Sequence, residues 1–400
     1  MKRALLALCL VALLSLTSLA QGSGTLLVLV TIRQVRHILL RDALAAPTPE
    51  MLTRAAWSGA GLASPGADWQ EFERAFSRLS PRDAVTAGEG ALRSMVDSLQ
   101  DPYSTLVTPA ERAQEDAVQR SGTYSGIGVE LAWRKGLVVV GCLDGSPALK
   151  AGLRPGDRLL EIDGNRLDGL TYYAAGNLLL GPRGSPCRLL VGRDGGTQRI
   201  ELTRQAIQLP PVKGRLLAPG VGLVRVGFFQ PDTARQVRHE LSLLEREGAG
   251  RIILDLRQNP GGDFEAGLKT AGLFASGPLL LLEERGGKRK TLTNRSARFW
   301  KGPVVLLVDS GSASASEIVA QALQGRPQVT VLGQRTFGKA RVQTFYSLPG
   351  GGGLHLTTAR YLSLEGQDLN GVGLQPDVVV PAGQDPIQQA LDQLSFIPVR

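Results

Sequence analysis

The chain is poor in the residues on which most hydrolytic and metal sites are built. It has three histidines, His37, His239 and His355, and three cysteines, Cys9, Cys142 and Cys187. No Cys/His pair stands at metal-ligand spacing, so a zinc site is not expected, and the chemistry considered below calls for no other metal or organic cofactor. A Ser-His-Asp triad is disfavoured for the same reason: His37 borders the apolar N-terminus, His239 lies in a charged helical run and His355 in the alternating run Leu354 to Thr358. Cys142 and Cys187 could pair in an oxidising compartment, but two free, half-buried thiols are the expectation. Aromatic residues make up only 5%, and no basic run is interleaved with them, so nucleic-acid binding is excluded despite a net charge of +9. The local basic cluster Arg285, Lys288, Arg289, Lys290, continued by Arg295, Arg298 and Lys301, reads as a solvated loop, with an acidic partner or membrane surface as its other use.

What is present describes a folded protein of two or three domains: 400 residues, 43% hydrophobic, with 49 Gly and 23 Pro for tight turns. The only long apolar run opens the chain. Met1-Lys2-Arg3, the stretch Ala4 to Leu16 and Ser18-Leu19-Ala20 have the three regions of a secretory signal peptide, with cleavage after Ala20. The expected location is therefore outside the cytoplasm, in a periplasm or on an extracytoplasmic face. Thr25 to Ile32 is apolar again, which leaves an uncleaved membrane anchor as the alternative, and the helix expected from Leu26 to Leu44 could instead pair two copies as a homodimer.

From about residue 25 to 120 apolar residues recur at helical spacing, as in Phe72, Phe76, Leu79 and Ala91, Leu92, Met95, Val96, Leu99, with Asp101-Pro102 as a stop. Residues 121–205 change to short β-like runs, Gly128 to Ala132, Leu137 to Gly141, Arg158 to Ile162 and Cys187 to Val191, with helices at Ala148 to Leu153 and Leu170 to Leu180. Residues 206–400 alternate strand and helix, and the runs Arg251 to Leu256 and Val304 to Val308 read as buried strands of an α/β sheet.

Two strand ends carry candidate chemistry. Asp255-Leu-Arg-Gln-Asn-Pro-Gly-Gly262 ends a strand in a glycine turn that lets a substrate approach backbone N–H groups closely, although an ordinary strand-to-helix turn would read the same. Val308-Asp-Ser-Gly-Ser-Ala-Ser-Ala-Ser-Glu317 opens a helix, where N–H groups not yet used by the helix can receive an oxyanion, or where the serines merely cap. A serine needs a base, and with histidine scarce a lysine neutralised by burial can serve. Thr336-Phe-Gly-Lys339, followed by Val342, Gln343 and Phe345, supplies one.

Together these segments resemble the carboxyl-terminal processing peptidases, a serine-lysine family (S41) with a crotonase-like, ClpP-like α/β catalytic core and an inserted PDZ domain. The resemblance extends from about Asp68 to the C-terminus. It implies Ser314 as nucleophile and Lys339 as base, 339 − 314 = 25 residues apart, Gln343 as the residue orienting the lysine, and the backbone N–H groups of Ala315 and Gly261 as oxyanion donors. Ser312 and Ser316 are expected to shape the turn. Tyr124 to Arg204 is similar to the family's PDZ domain, an α+β insertion, with Gly126, Ile127, Gly128 and Val129 at the loop that captures a substrate's terminal carboxylate. Asp101-Pro-Tyr-Ser104 resembles a motif of the preceding helical region. Two positions depart from the pattern: Leu180 stands where an arginine often precedes the glycine matching Gly181, and Gly325 where some members have an aspartate.

The resemblance thus implies a serine endopeptidase cleaving exported proteins near accessible, apolar C-terminal tails, without a third carboxylate. A binding protein on the same fold, collecting C-termini without hydrolysis, is the alternative.

Overall fold

The computed structural model describes residues 23–395 apart from 64–67, 134, 135, 144, 171, 194, 209–211 and 382, and the expected signal segment lies outside them. Four helices come first: α1 (Ser23–Asp42), α2 (Pro49–Ala60), α3 (Trp69–Phe76) and α4 (Pro81–Asp97). Local chemistry sets their starts. The side chains of Thr48, Asp68 and Ser80 each accept a backbone N–H of the first turn, and Pro49 and Pro81 sit where a missing N–H is harmless. Val28, Leu29, Ile32, Val35 and Leu39 of α1 are buried in the core of this helical region. Of the anchor considered for Ala4 to Ile32, the part before Ser23 lies outside the described residues, while Val28, Leu29, Thr31 and Ile32 pack inside the protein, and no described helix is long and apolar enough to cross a membrane. Leu26 and Val30 are exposed on the other side of α1.

The short strand β1 (Thr105–Val107) leads to α5 (Pro109–Ser121), which starts in a reciprocal Thr108–Glu111 capping box and ends at Gly122 in the left-handed conformation. That bend sends the chain into β2 (Thr123–Gly126), β3 (Val129–Trp133), β4 (Leu137–Cys142), α6 (Pro147–Lys150), β5 (Arg158–Ile162), β6 (Asn165–Arg166), α7 (Tyr172–Asn177), β7 (Pro186–Arg193), β8 (Gly196–Thr203) and β9 (Gln205–Gln208). Strands β3, β4, β5, β7 and β8 form one sheet, with β6 on β5. Antiparallel pairing of β2 with β9 brings the two ends of this unit together. Its own core contains Ile127, Leu137, Val139, Leu159, Ile162 and Leu189. Neither Cys142 nor the buried Cys187 is in a disulfide, and burial pushes the Cys187 thiol up to about 11.

The rest of the chain builds two sheets from β10 (Lys213–Ala218), β11 (Val221–Arg225), α8 (Thr233–Arg246), β12 (Arg251–Asp255), α9 (Phe264–Phe274), β13 (Gly277–Glu284), β14 (Arg289–Asn294), β15 (Val304–Val308), α10 (Ala315–Leu323), β16 (Val329–Gly333), β17 (Arg341–Ser347), β18 (Gly353–Leu362), β19 (Val378–Val379) and α11 (Pro386–Ser395). The first runs β10-β11-β12-β15-β16-β19, parallel except at β10. Ile252, Leu254, Leu306 and Val331 face one core with residues of α8, α9 and α10, while Ile253, Val305 and Leu307 face a second with Ala390 and Leu394 of α11. Burial on both faces explains why these strands read as continuous apolar runs. The second sheet, β1-β18-β13-β14 with β17 on β18, joins distant parts of the chain. Through it the helical region shares its core with Leu348, Leu354 and Leu356.

Candidate active site

Parallel pairing of β12 with β15 sets Asp255 beside Leu307, so the turns that follow these strands lie side by side at their carboxyl ends. The turns are laced together. Gln258 N–H donates to Asp309 Oδ1 at 2.9 Å, Ala313 N–H to the Asn259 carbonyl at 3.0 Å, Ser312 Oγ to the Leu256 carbonyl at 2.8 Å and Ser316 Oγ to the Asn259 carbonyl at 2.8 Å. The outer serines thus reach across to the neighbouring turn, while Ser314 lines an open cleft. Ser314 has φ 53° and ψ −114°, strained for a residue with a Cβ, at the N-terminus of α10. The preceding turn is braced through Asp255, 2% exposed: burial works against its carboxylate, but two hydrogen bonds from Arg257 and the charge of Arg225 outweigh that and hold its pKa below the ordinary value.

A cleft of about 690 Å³ holds both Ser314 and Lys339 on its lining. Burial pushes the Lys339 ammonium down to about 8, against the opposing charges of Asp101 and Glu317, so roughly a tenth of it is neutral at pH 7 and more as pH rises. Two side chains tie nucleophile and base together through their backbones. Fully buried Glu317 accepts four donors: Thr336 Oγ1 at 2.6 Å and Gly338 N–H at 2.7 Å on Oε1, Lys339 N–H at 2.8 Å and Ser314 N–H at 2.9 Å on Oε2. Burial raises its pKa, opposed by these four donors, of which the three backbone N–H groups require acceptor oxygens. Buried Tyr361 donates to the carbonyls of Lys339 at 2.7 Å and Ser314 at 3.2 Å. Neither residue was singled out by sequence reasoning; the only signal for Glu317 was its capping position, three residues after Ser314.

Two of the expected residues make other contacts here. Gly261 N–H donates to Asn259 Oδ1 at 2.9 Å. Gly261 also packs on the nucleophile turn: with φ 107°, a Cβ there would meet the Ala313 carbonyl oxygen and Ser314 Cβ, both at 2.7 Å. The next amide, Gly262, has no protein acceptor among the described residues and its residue lines the cleft, while Ala315 N–H, at the first position of α10, lies beyond the reach of the helix's own carbonyls. Gln343 also lines the cleft, but its Nε2 donates to Thr357 Oγ1 at 3.2 Å rather than engaging Lys339. No hydrogen bond joins Ser314 Oγ to Lys339 Nζ; catalytic contacts in a substrate-free site are often long and tighten on binding.

The inserted unit closes one side of this cleft. Ile127, Gly128 and Val129, expected at the carboxylate-binding loop, line it together with Tyr172, Leu179 and Leu180, so the loop opens onto the space that holds Ser314. Gly126 is buried just behind. Gly128 has φ 74°, and a Cβ there would lie 2.4 Å from Ser146 Cβ. Leu180 stands in place of an arginine, and the guanidinium of Arg204 lies beside Gly181. It is buried and committed to Asp163 and the Leu178 and Leu179 carbonyls. Val140 of β4 packs directly on Ala313 and Phe337, beside nucleophile and base.

Residues 220–380 match the model of peptidase family S41, and residues 138–193 match that of a PDZ domain. The carboxyl-terminal-processing protease of Synechocystis sp. is 35% identical over 300 residues, 72% of this chain and 70% of that one. The carboxy-terminal processing protease CtpA of Bacillus subtilis is 32% identical over 294 residues, 72% and 63% of the two chains. A solved photosystem II D1 C-terminal processing protease superposes with a TM-score of 0.72 at 28% identity, over 93% of this chain and 97% of that one. Fold and relatives define a serine-type peptidase that carries a PDZ domain. Within that class the chain belongs to the carboxyl-terminal processing peptidases of family S41.

Proposed function

We propose that the chain cleaves protein substrates near their C-termini with Ser314 as nucleophile and Lys339 as general base. The observation that carries this reading is the single Glu317 carboxylate that grips the N–H groups of Ser314 and Lys339 at once, on the wall of one cleft. Neutral Lys339 takes the Ser314 Oγ proton as Oγ adds to the peptide carbonyl. The oxyanion is received by the N–H groups of Ala315 and Gly262, whose strength there comes from fixed orientation away from bulk water. The protonated lysine then gives its proton to the departing amine, and water hydrolyses the acyl-enzyme with Lys339 again as base. Gln343 acts through Thr357 and the strand it braces. The loop Gly126 to Val129, in a PDZ-like insertion spanning residues 121–205, presents the substrate's terminal carboxylate to the same cleft.

Export through residues 1–20 is part of this proposal, supported by their charged, apolar and small-residue pattern; N-terminal sequencing of the mature protein tests it. The reaction is tested with an unfolded protein bearing an apolar C-terminal tail, comparing wild type with Ser314→Ala by fragment mass. Cleavage by wild type alone supports the assignment. Equal cleavage by both rejects Ser314, and binding of the tail without cleavage by either supports a non-catalytic binding protein.

A further inference from the structure

Lys339 lies in an arrangement that the peptidase reading does not require. Its Nζ stands 4.7 Å from the centre of the Tyr103 ring and 5.3 Å from that of Tyr172. The two rings meet edge to face, 5.8 Å apart at 61°, so they form one surface rather than two chance neighbours. Each ring is fixed by its own bonds. Tyr103 is 7% exposed and its N–H donates to Asp101 Oδ1 at 3.2 Å, while Ser104 Oγ donates to Asp101 Oδ2 at 2.5 Å and accepts Thr357 N–H of β18 at 3.1 Å. Tyr172 donates its hydroxyl to the Leu131 carbonyl at 3.2 Å and its N–H to the Pro102 carbonyl at 3.0 Å, bonding α7 to the segment that carries Tyr103.

We propose that Tyr103 and Tyr172 are positioning residues for the catalytic base, a two-ring clamp whose second ring is supplied by the inserted domain. This deepens the Ser314–Lys339 reading and rests on it. Two opposing effects act on the lysine. Exclusion of water by the rings disfavours the ammonium, whereas their π faces favour it. The other groups facing Lys339 are Asp101 before β1, Glu317 on α10 and Tyr361 on β18, with Arg341 next to it on β17; none of these comes from the inserted domain. The base is therefore completed across the domain boundary, by one ring that the rest of the chain does not supply.

The two effects separate by substitution. In Tyr172→Leu the apolar cover remains and the π face is lost, so the Lys339 titration midpoint falls by roughly one pH unit. In Tyr172→Ala water enters and the midpoint rises. Tyr172→Phe, which keeps the ring, leaves it within roughly a few tenths of a unit. The midpoint is read by NMR of labelled lysine in the full-length chain carrying Ser314→Ala, with the Lys339 signal assigned by its loss in Lys339→Met. Opposite shifts in the Leu and Ala variants, with Phe unmoved, establish the clamp. Shifts of the same sign, or none, overturn it. Because this readout needs no turnover, the clamp is judged separately from peptidase activity; in active protein the acid limb of kcat/KM moves with the NMR midpoint.

Discussion

Replacing Glu317 by glutamine isolates the contribution of one carboxylate that accepts four donors. The amide has one acceptor oxygen and a nitrogen that must donate. It fits best with the nitrogen in place of Oε1, because there the Thr336 hydroxyl can turn and accept, while Ser314 and Lys339 keep the oxygen in place of Oε2. Gly338 N–H then faces an N–H₂ group. An orphaned buried donor costs about 1–3 kcal/mol, and loss of charge assistance at the other bonds adds about 1 kcal/mol. Relief from burying a charge offsets part of this, leaving about 2–3 kcal/mol of lost stability. For a catalytic domain of this size that is a fall in Tm of about 5–10 °C. The remaining bonds hold Ser314 and Lys339 less firmly, so kcat falls by at least roughly tenfold while KM changes by less than about twofold, since Glu317 touches no substrate. Calorimetry and peptide kinetics on the folded variant check both. A Glu317→Gln protein with wild-type Tm and kcat would refute the idea that this carboxylate joins nucleophile to base.

The remaining expectations use the same methods. Because burial holds Lys339 at about 8, kcat/KM rises with pH along an acid limb near that value, which a pH profile measures. The same depression affects folding: Lys339 contributes fully above its unfolded value of 10.5 and loses that contribution as pH falls through about 8. Lys339→Met therefore stabilises the protein at pH 7 by up to about 3 kcal/mol, a gain that disappears above pH 10 in denaturant titrations. Gly261→Ala inserts a Cβ 2.7 Å from Ser314 Cβ at φ 107° and is expected to abolish turnover while C-terminal peptide binding survives, measured by calorimetry on the same preparation. Gly128→Ala, with its Cβ 2.4 Å from Ser146 Cβ, has the reverse signature: weakened tail binding with active-site labelling of Ser314 retained.

Much of the machinery could be read from the chain because it is local. Helix α9 begins and ends where its apolar spacing and the Asp263 cap place it, at Phe264 and Phe274. The short, β-branched run Val304–Val308 fits an interior strand, and is one. The serine turn at a helix start and the lysine after Phe337-Gly338 could likewise be recognised as types, with the nucleophile and base assigned through resemblance. By contrast, Tyr172 was only part of an anticipated helix from Leu170 to Leu180, which forms over Tyr172–Asn177 alone. Nothing within that segment says which neighbour its ring will meet.

The sequence by itself determined the building blocks: capped helices, doubly buried strands, two strand-end turns, and a serine and a lysine at a recognisable spacing. Only the tertiary structure decided which backbone donors remain free. Asn259 donates its Nδ2 to the Val226 carbonyl, a segment 33 residues back, and this turns its Oδ1 onto Gly261 N–H and leaves Gly262, while the β17–β18 pairing brings Thr357 to Gln343. It also decided how Lys339 is surrounded, since one ring arrives from the segment before β1 and the other from an inserted domain. A lysine's pKa reflects burial and nearby charge in space, and spacing along the chain encodes neither.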